Sequence, residues 1–172
     1  DAVGNWTTPV AHIDVEIVDA TAPGAIADLT AKAASSLQKF SITVAESSAS
    51  LPASPASNLV DGNTATYWQT VGTSAPEEEY VILDTSDVVE LAGVSLVPSM
   101  STALFPSSLT IEVSSDGSTW TPAASATGFK AAKGSYLWQF DMVDARYVRI
   151  SGPGVFNKAD RKYYWQISEA AV

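Results

Sequence analysis

The chain is predicted to be all-β, a sandwich or a barrel, on three observations. Leu109, Ile111 and Val113 alternate with Thr110, Glu112 and Ser114, the two-residue period of a strand with one buried face. Ser115-Asp116-Gly117-Ser118 follows directly with residues that favour a turn. Several more short alternating runs recur, and little of the chain carries a helical period, a pattern that implies sheet packed on sheet.

Taken in chain order, residues 1–36 read as connector strands. The Pro/Gly-bearing stretch Ala20-Thr21-Ala22-Pro23-Gly24 and the Ala/Ser tract Ala31 to Ser36 set them apart from the denser pattern of residues 37–172, so a boundary is placed there. Ile26 to Gln38 is alanine-rich and is open between a helix and an extended connector, since propensity alone decides little. Strands are then expected near Tyr80–Asp84, Leu91–Val97, Leu109–Val113, Tyr136–Asp141 and Ala145–Ser151, each bounded by polar or glycine-bearing links.

A length of 172 residues with 46% hydrophobic content allows one real core plus an appendage. The net charge of -10 repels phosphate backbones and anionic headgroups, which argues against nucleic acid and against a membrane as partner. The most basic stretch, Lys158 to Lys162, contains Asp160 and reads as a solvated loop. Without cysteine there is no disulfide, thiolate zinc site or thiol nucleophile. No apolar stretch nears the roughly 20 residues that cross a bilayer, no leader opens the chain, and its start at Asp1 suggests a piece of a longer protein.

Catalytic devices are poorly supplied. The one histidine, His12, lies in the connector, so the sandwich holds no Ser-His-Asp arrangement, and no glycine-rich phosphate cradle is present. Glu77-Glu78-Glu79 reads as a solvated acidic edge rather than a glycosidase pair. Asn5-Trp6-Thr7 is a glycosylation sequon that matters only in a pathway that glycosylates. The expectation is a domain that is not an enzyme.

The ordered motifs Ala56-Ser57-Asn58-Leu59-Val60-Asp61-Gly62-Asn63 with Thr66 and Trp68, Tyr80-Val81-Ile82-Leu83-Asp84, Ile111 through Trp120, Ala145 through Ile150, and Ile167-Ser168-Glu169 carry a resemblance. Together they resemble the discoidin family, also called coagulation factor 5/8 type C, and especially its bacterial carbohydrate-binding, galactose-binding-like relatives. Residues 1–36 contain stretches similar to an immunoglobulin-like or fibronectin type III-like module. The resemblance implies a jelly-roll-like antiparallel β-sandwich of about eight strands with ligand loops at one end and an extended N-terminal segment. The family's frequent cysteine pair has no counterpart, which points to a prokaryotic, secreted or cell-surface setting.

On composition alone, Asp61-Gly62-Asn63 is an ordinary turn and Glu169 a surface acid. The resemblance implies instead a structural calcium site built from Asn58, Asp61, Asn63, Thr66, Ser168 and Glu169, with backbone carbonyls from Asn58 and Ser168 and carboxylates from Asp61 and Glu169. Such hard oxygen donors suit Ca2+, with sodium as the alternative. Gly62 permits the sharp turn.

Sugars stack on aromatics while a few polar groups select hydroxyl positions. Trp68, Trp120, Tyr147 and Phe40 are assigned to the core; Phe105, Phe129, Phe156, Tyr163 and Tyr164 lie by predicted loops, and Phe156 and Tyr163 are the favoured contacts. Galactose-binding relatives place a His after the Trp and an Arg in a later loop; the matching positions here are Gln69 and Ser99. Gln69, Ser99, Lys130, Lys133 and Asn157 are further polar candidates, and Met100, Leu104 and Phe105 a candidate apolar tip. The expected partner is a glycan or cell-surface glycoprotein, alongside neighbouring domains of a longer parent; the alternative is an adhesion or protein-interaction module without a sugar site.

Overall fold

A computed structural model describes residues 39–172. The connector assignment for residues 1–36 and the helix alternative at Ile26–Gln38 lie outside the described residues.

Among the described residues nine strands form, all paired antiparallel: β1 Thr43–Ser47, β2 Trp68–Gln69, β3 Glu78–Pro98, β4 Leu109–Ser114, β5 Thr121–Ala126, β6 Tyr136–Pro153, β7 Val155–Asn157, β8 Lys162–Tyr164 and β9 Gln166–Ala171. Two short 3-10 helices, Ala56–Val60 and Thr102–Leu104, sit in loops. The expected strands all appear, but the pairs expected at 80–84 and 91–97, and at 136–141 and 145–151, are each one long bent strand.

The bend follows from side-chain phase. In β3, Glu79, Val81, Leu83 and Thr85 face inward, then Leu91, and then Val94, Leu96 and Pro98, so the inward set changes from odd to even positions. The pairing register slips at the same place, between Leu91 and Gly93, and again between Asp84 and Val89. An inserted residue twists the strand and swaps its faces, which lets one strand serve two layers. The first part of β3 pairs with β1 and with residues 147–153 of β6, which in turn pair with β4. Its last part pairs with β9 and with residues 136–139 of β6.

Between the layers lie Leu59, Trp68, Val81, Leu83, Val94, Leu96, Ile111, Val148, Ile150, Trp165 and Ile167, all fully buried. Trp68 and Trp165 meet edge to face, ring centroids 6.3 Å apart at 89°. Trp120 and Tyr147 correct the core assignment. Both are only partly covered, and each lies under a guanidinium, Arg149 at 4.6 Å from the Trp120 ring and Arg146 at 4.9 Å from that of Tyr147. Tyr147 lies in β6 and Trp120 just before β5, and the guanidiniums above them are themselves paired, Arg146 with Asp84 and Arg149 with Glu112. Phe105 and Tyr164 move the other way, from expected loop residues to buried ones.

Candidate functional site: a carboxylate clamp and a loop end

The first 3-10 helix ends at Asp61, and Gly62 then takes φ 74°, a left-handed conformation that a side chain would strain. Asp61 organises the turn. Its Oδ1 accepts the Asn63 N–H at 2.8 Å and its Oδ2 accepts the Thr66 hydroxyl at 2.7 Å. The Asn58 amide donates to the Tyr67 carbonyl at 3.0 Å and closes the loop from behind.

Glu169 reaches this turn from β9, where it pairs with Val97. Its carboxyl lies beside that of Asp61 and the backbone amides of Gly62 and Asn63. Residues 61 and 169, far apart in sequence, are therefore neighbours, and the buried Ser168 adjoins them. Burial, and then the neighbouring Asp61, raise the Glu169 pKa; the Thr66 hydroxyl and the Asn63 amide lower that of Asp61. Glu169 Oε1 is buried and has no hydrogen-bond partner. Among the described residues the ion pairs are Asp84–Arg146 and Glu112–Arg149, so no side-chain cation pairs directly with the clamp, and Lys39 lines the cavity that Glu169 and Gly62 share. An orphaned carboxylate oxygen facing a second carboxylate is an arrangement that a proton or a hard cation completes. No group of three or more His, Cys, Asp or Glu side chains is placed to hold a metal ion among the described residues. An ion here would therefore take most of its oxygens from amide, hydroxyl and carbonyl groups, the chemistry of a hard cation.

The second assembly lies at the loop end. Thr73 bridges to Tyr163, joining the β7–β8 hairpin to the segment after β2, and β7 adjoins the second 3-10 helix. Phe156 and Tyr163 pair at 5.0 Å between centroids, with Phe156 44% exposed. Gln69 and Ser99 are joined through Gln166. The Ser99 hydroxyl donates to Gln166 Oε1 at 3.0 Å, and Gln166 Nε2 donates to Gln69 Oε1 at 2.7 Å.

This geometry revises several expected contacts. Ser99 is buried and its hydroxyl is engaged with Gln166 and with the Ser101 N–H, so it supports Gln69 rather than facing a ligand. Asn157 is committed within its hairpin, its amide donating to the Tyr164 hydroxyl and its carbonyl accepting from Ala159. Lys130 is exposed on a different loop, which packs through Phe129 against Phe105. Of the apolar tip, Leu104 and Phe105 are core residues and Met100 alone is exposed, at 79%.

Sequence reasoning missed Gln166. Its signal was a polar residue inside the run Tyr164-Trp165-Gln166-Ile167-Ser168, all of it buried. It also misjudged Glu79, which the strand alternation turns inward beside the Thr70 and Ser48 hydroxyls. Burial raises the Glu79 pKa; the two hydroxyls lower it in part, and the nearby Glu77 charge raises it. A raised carboxyl binds its proton more tightly folded than unfolded, so its contribution is full at low pH and is lost as pH rises from 4.5 through the folded value. Urea melts across that range should show stability falling with pH in the wild type, and a shallower fall in Glu79→Gln; equal slopes would refute the assignment.

The fold and its site define a two-layer β-sandwich with a carboxylate clamp and an aromatic loop end. The F5/8 type C domain model matches residues 41–170, and the chain belongs to that family. Its fold is similar to that of CBM32-3 from a family 31 glycoside hydrolase of Clostridium perfringens, with a TM-score of 0.68 at 18% identity, covering 76% of this chain and 89% of that one. It is also similar to the family 32 CBM of C. perfringens NanJ, solved in complex with galactose, with a TM-score of 0.64 at 19% identity and coverage of 77% and 93%. No curated protein matches the chain in sequence.

Proposed function

We propose that this domain is a non-catalytic, calcium-stabilised carbohydrate-binding module of a secreted or cell-surface multidomain protein, holding its parent on glycans. The observation that carries the reading is the Phe156–Tyr163 pair, with Phe156 exposed, on a hairpin that Tyr163 ties to Thr73 in the segment that follows Gln69, itself held by the buried Gln166. An aromatic face with a few oriented polar groups is what a sugar needs. The galactose complex of the similarly folded NanJ module supports it. Weak binding of this kind works by raising local concentration.

Asp61 and Glu169 would supply carboxylate oxygens to the calcium, Asn63 and Thr66 side-chain or carbonyl oxygens, and Asn58 and Ser168 backbone carbonyls. The ion would neutralise the facing carboxylates and tie the turn to β9.

A glycan array probed with the domain tests the sugar site. Wild type is expected to be retained, and Phe156→Ala to lose at least about tenfold in affinity, in keeping with removal of a stacking aromatic. Retention unchanged in that variant would remove Phe156 from the site. A second reading, a protein-docking module, is favoured by the apolar exposure of Val71, Met100 and Phe156; it predicts no binding across a broad array.

A further inference from the structure

Glu169 does not stand alone on its side of the sheet. Val97 pairs with Glu169, and Ser95 with Ala171, across β3 and β9, and the four side chains share the face opposite to that of the buried Leu96. Together with Gly62 and Lys39 they line one cavity of about 250 Å3. The charged side chains on that cavity are Glu169 and Lys39; the rest of its wall is hydroxyl, backbone or apolar. The backbone brings Lys39 there. The Phe40 N–H donates to the Val172 carbonyl at 3.1 Å and the Phe40 side chain packs on the core, so the residue before it stands at the end of the strand that carries Glu169.

Lys39 shares the cavity without closing on the clamp. Among the described residues it forms no ion pair with Asp61 or Glu169, and Glu169 Oε1 keeps no partner. Its charge therefore acts on the clamp through space. Two carboxylates and one ammonium leave a single net negative charge around the oxygens that would meet an ion. Repulsion between Lys39 and such an ion grows in proportion to the ion's charge, so it costs a dication twice what it costs a monocation.

Resting on the calcium reading above, we infer that Lys39 is a specificity-determining residue of the clamp, lowering its affinity for calcium more than its affinity for sodium. Asp61 and Glu169 alone present the charge that a dication neutralises; with the ammonium beside them, the same oxygens present the charge that a monocation neutralises. Lys39 thereby keeps calcium exchangeable. The ion ties the Asp61 turn to β9 where calcium is plentiful and leaves where it is scarce. A lysine is suited to this, since it is a compact point charge on a flexible stem, and none of the oxygen ligands depends on it.

The test titrates the 172-residue chain with calcium chloride and, separately, with sodium chloride, read by calorimetry and by the shift in Tm, in a buffer whose background cation is tetramethylammonium. At low ionic strength Lys39→Met is expected to bind calcium about fivefold more tightly than wild type and sodium only about twofold more tightly. Lys39→Arg keeps the charge and should match wild type with both ions, whereas a role in packing alone would move the two ions by the same factor. Raising tetramethylammonium chloride to about 0.5 M shortens the screening length to about 4 Å and should shrink the calcium gain of Lys39→Met to less than about twofold. A Lys39→Met protein with wild-type calcium affinity, or with equal gains for the two ions, overturns this inference and leaves the calcium reading standing. Calcium taken up by neither protein overturns both.

Discussion

Chelating divalent cations is expected to lower the Tm of this domain by about 10 °C. A ligand held only by the folded state at about a hundred times its Kd adds about 2.7 kcal/mol, which for a domain of this size corresponds to that shift. The physical basis is the clamp. Asp61 and Glu169 place carboxylates side by side, one oxygen of Glu169 is buried without a partner, and among the described residues no Lys or Arg forms an ion pair with either acid. Without a cation the folded state carries that repulsion, and the unfolded chain does not.

Glu169→Gln separates this from a general salt effect. In chelator the variant should be at least as stable as wild type, because one of two facing carboxyls has become an amide that can donate to the other. In calcium it should gain little, so the order of the two proteins reverses between the buffers. Protons offer a second check. The raised pKa of Glu169 means that in chelator its contribution is full below 4.5 and is lost as pH rises through the folded value; the lowered pKa of Asp61 contributes above 3.8 and is lost as pH falls through its own folded value. Wild-type protein in chelator should therefore stabilise as pH drops toward the Glu169 range, where a proton takes the place of the cation. Identical melts with calcium and with chelator would remove the ion from the clamp.

What the sequence revealed and what it concealed divide along physical lines. Strands show where burial alternates, so Leu109, Ile111 and Val113 were readable, as was the turn after them that Gly117 closes at φ 74°. The clamp residues were readable because the turn chemistry of Asp61-Gly62-Asn63 is local, while the partner 108 positions away came only from resemblance to a family. A register slip has no such local mark, and it merged four expected strands into two. It also governs which side of a strand a residue occupies. Glu79 looked solvated among its acidic neighbours and Tyr147 looked like core until strand pairing fixed their faces, and Trp120, at the end of the turn before β5, lies partly covered beneath Arg149. Gln166 was hidden for a further reason: its function lies in two side-chain bonds to residues 67 and 97 positions away.

Trp165→Ala is expected to cost about 3–5 kcal/mol, the usual range for truncating a buried large aromatic, and to lower the Tm by about 15 °C. Trp165 is fully buried and its ring stands edge-on to Trp68. It also connects the core to the loop end. Its Nε1 donates to the Pro153 carbonyl at 2.8 Å, its backbone N–H donates to Thr70 Oγ1 at 3.1 Å, and its carbonyl accepts the Thr70 N–H at 3.2 Å. Thr70 and Gln166 flank Gln69 in sequence and in pairing, so the cavity left by the indole opens directly behind the proposed sugar contact. Two losses should then separate experimentally. Denaturant melts report the stability change, and sugar titration at a temperature where the variant is still folded reports the site; affinity should fall there too, because Gln69 has lost its rigid backing. Trp165→Phe keeps most of the apolar volume but not the bond to Pro153, and should fall between wild type and Trp165→Ala in both measurements. A Trp165→Ala loss below about 1 kcal/mol would mean that the two layers do not share one core at this point, which is far outside the range for a fully enclosed indole.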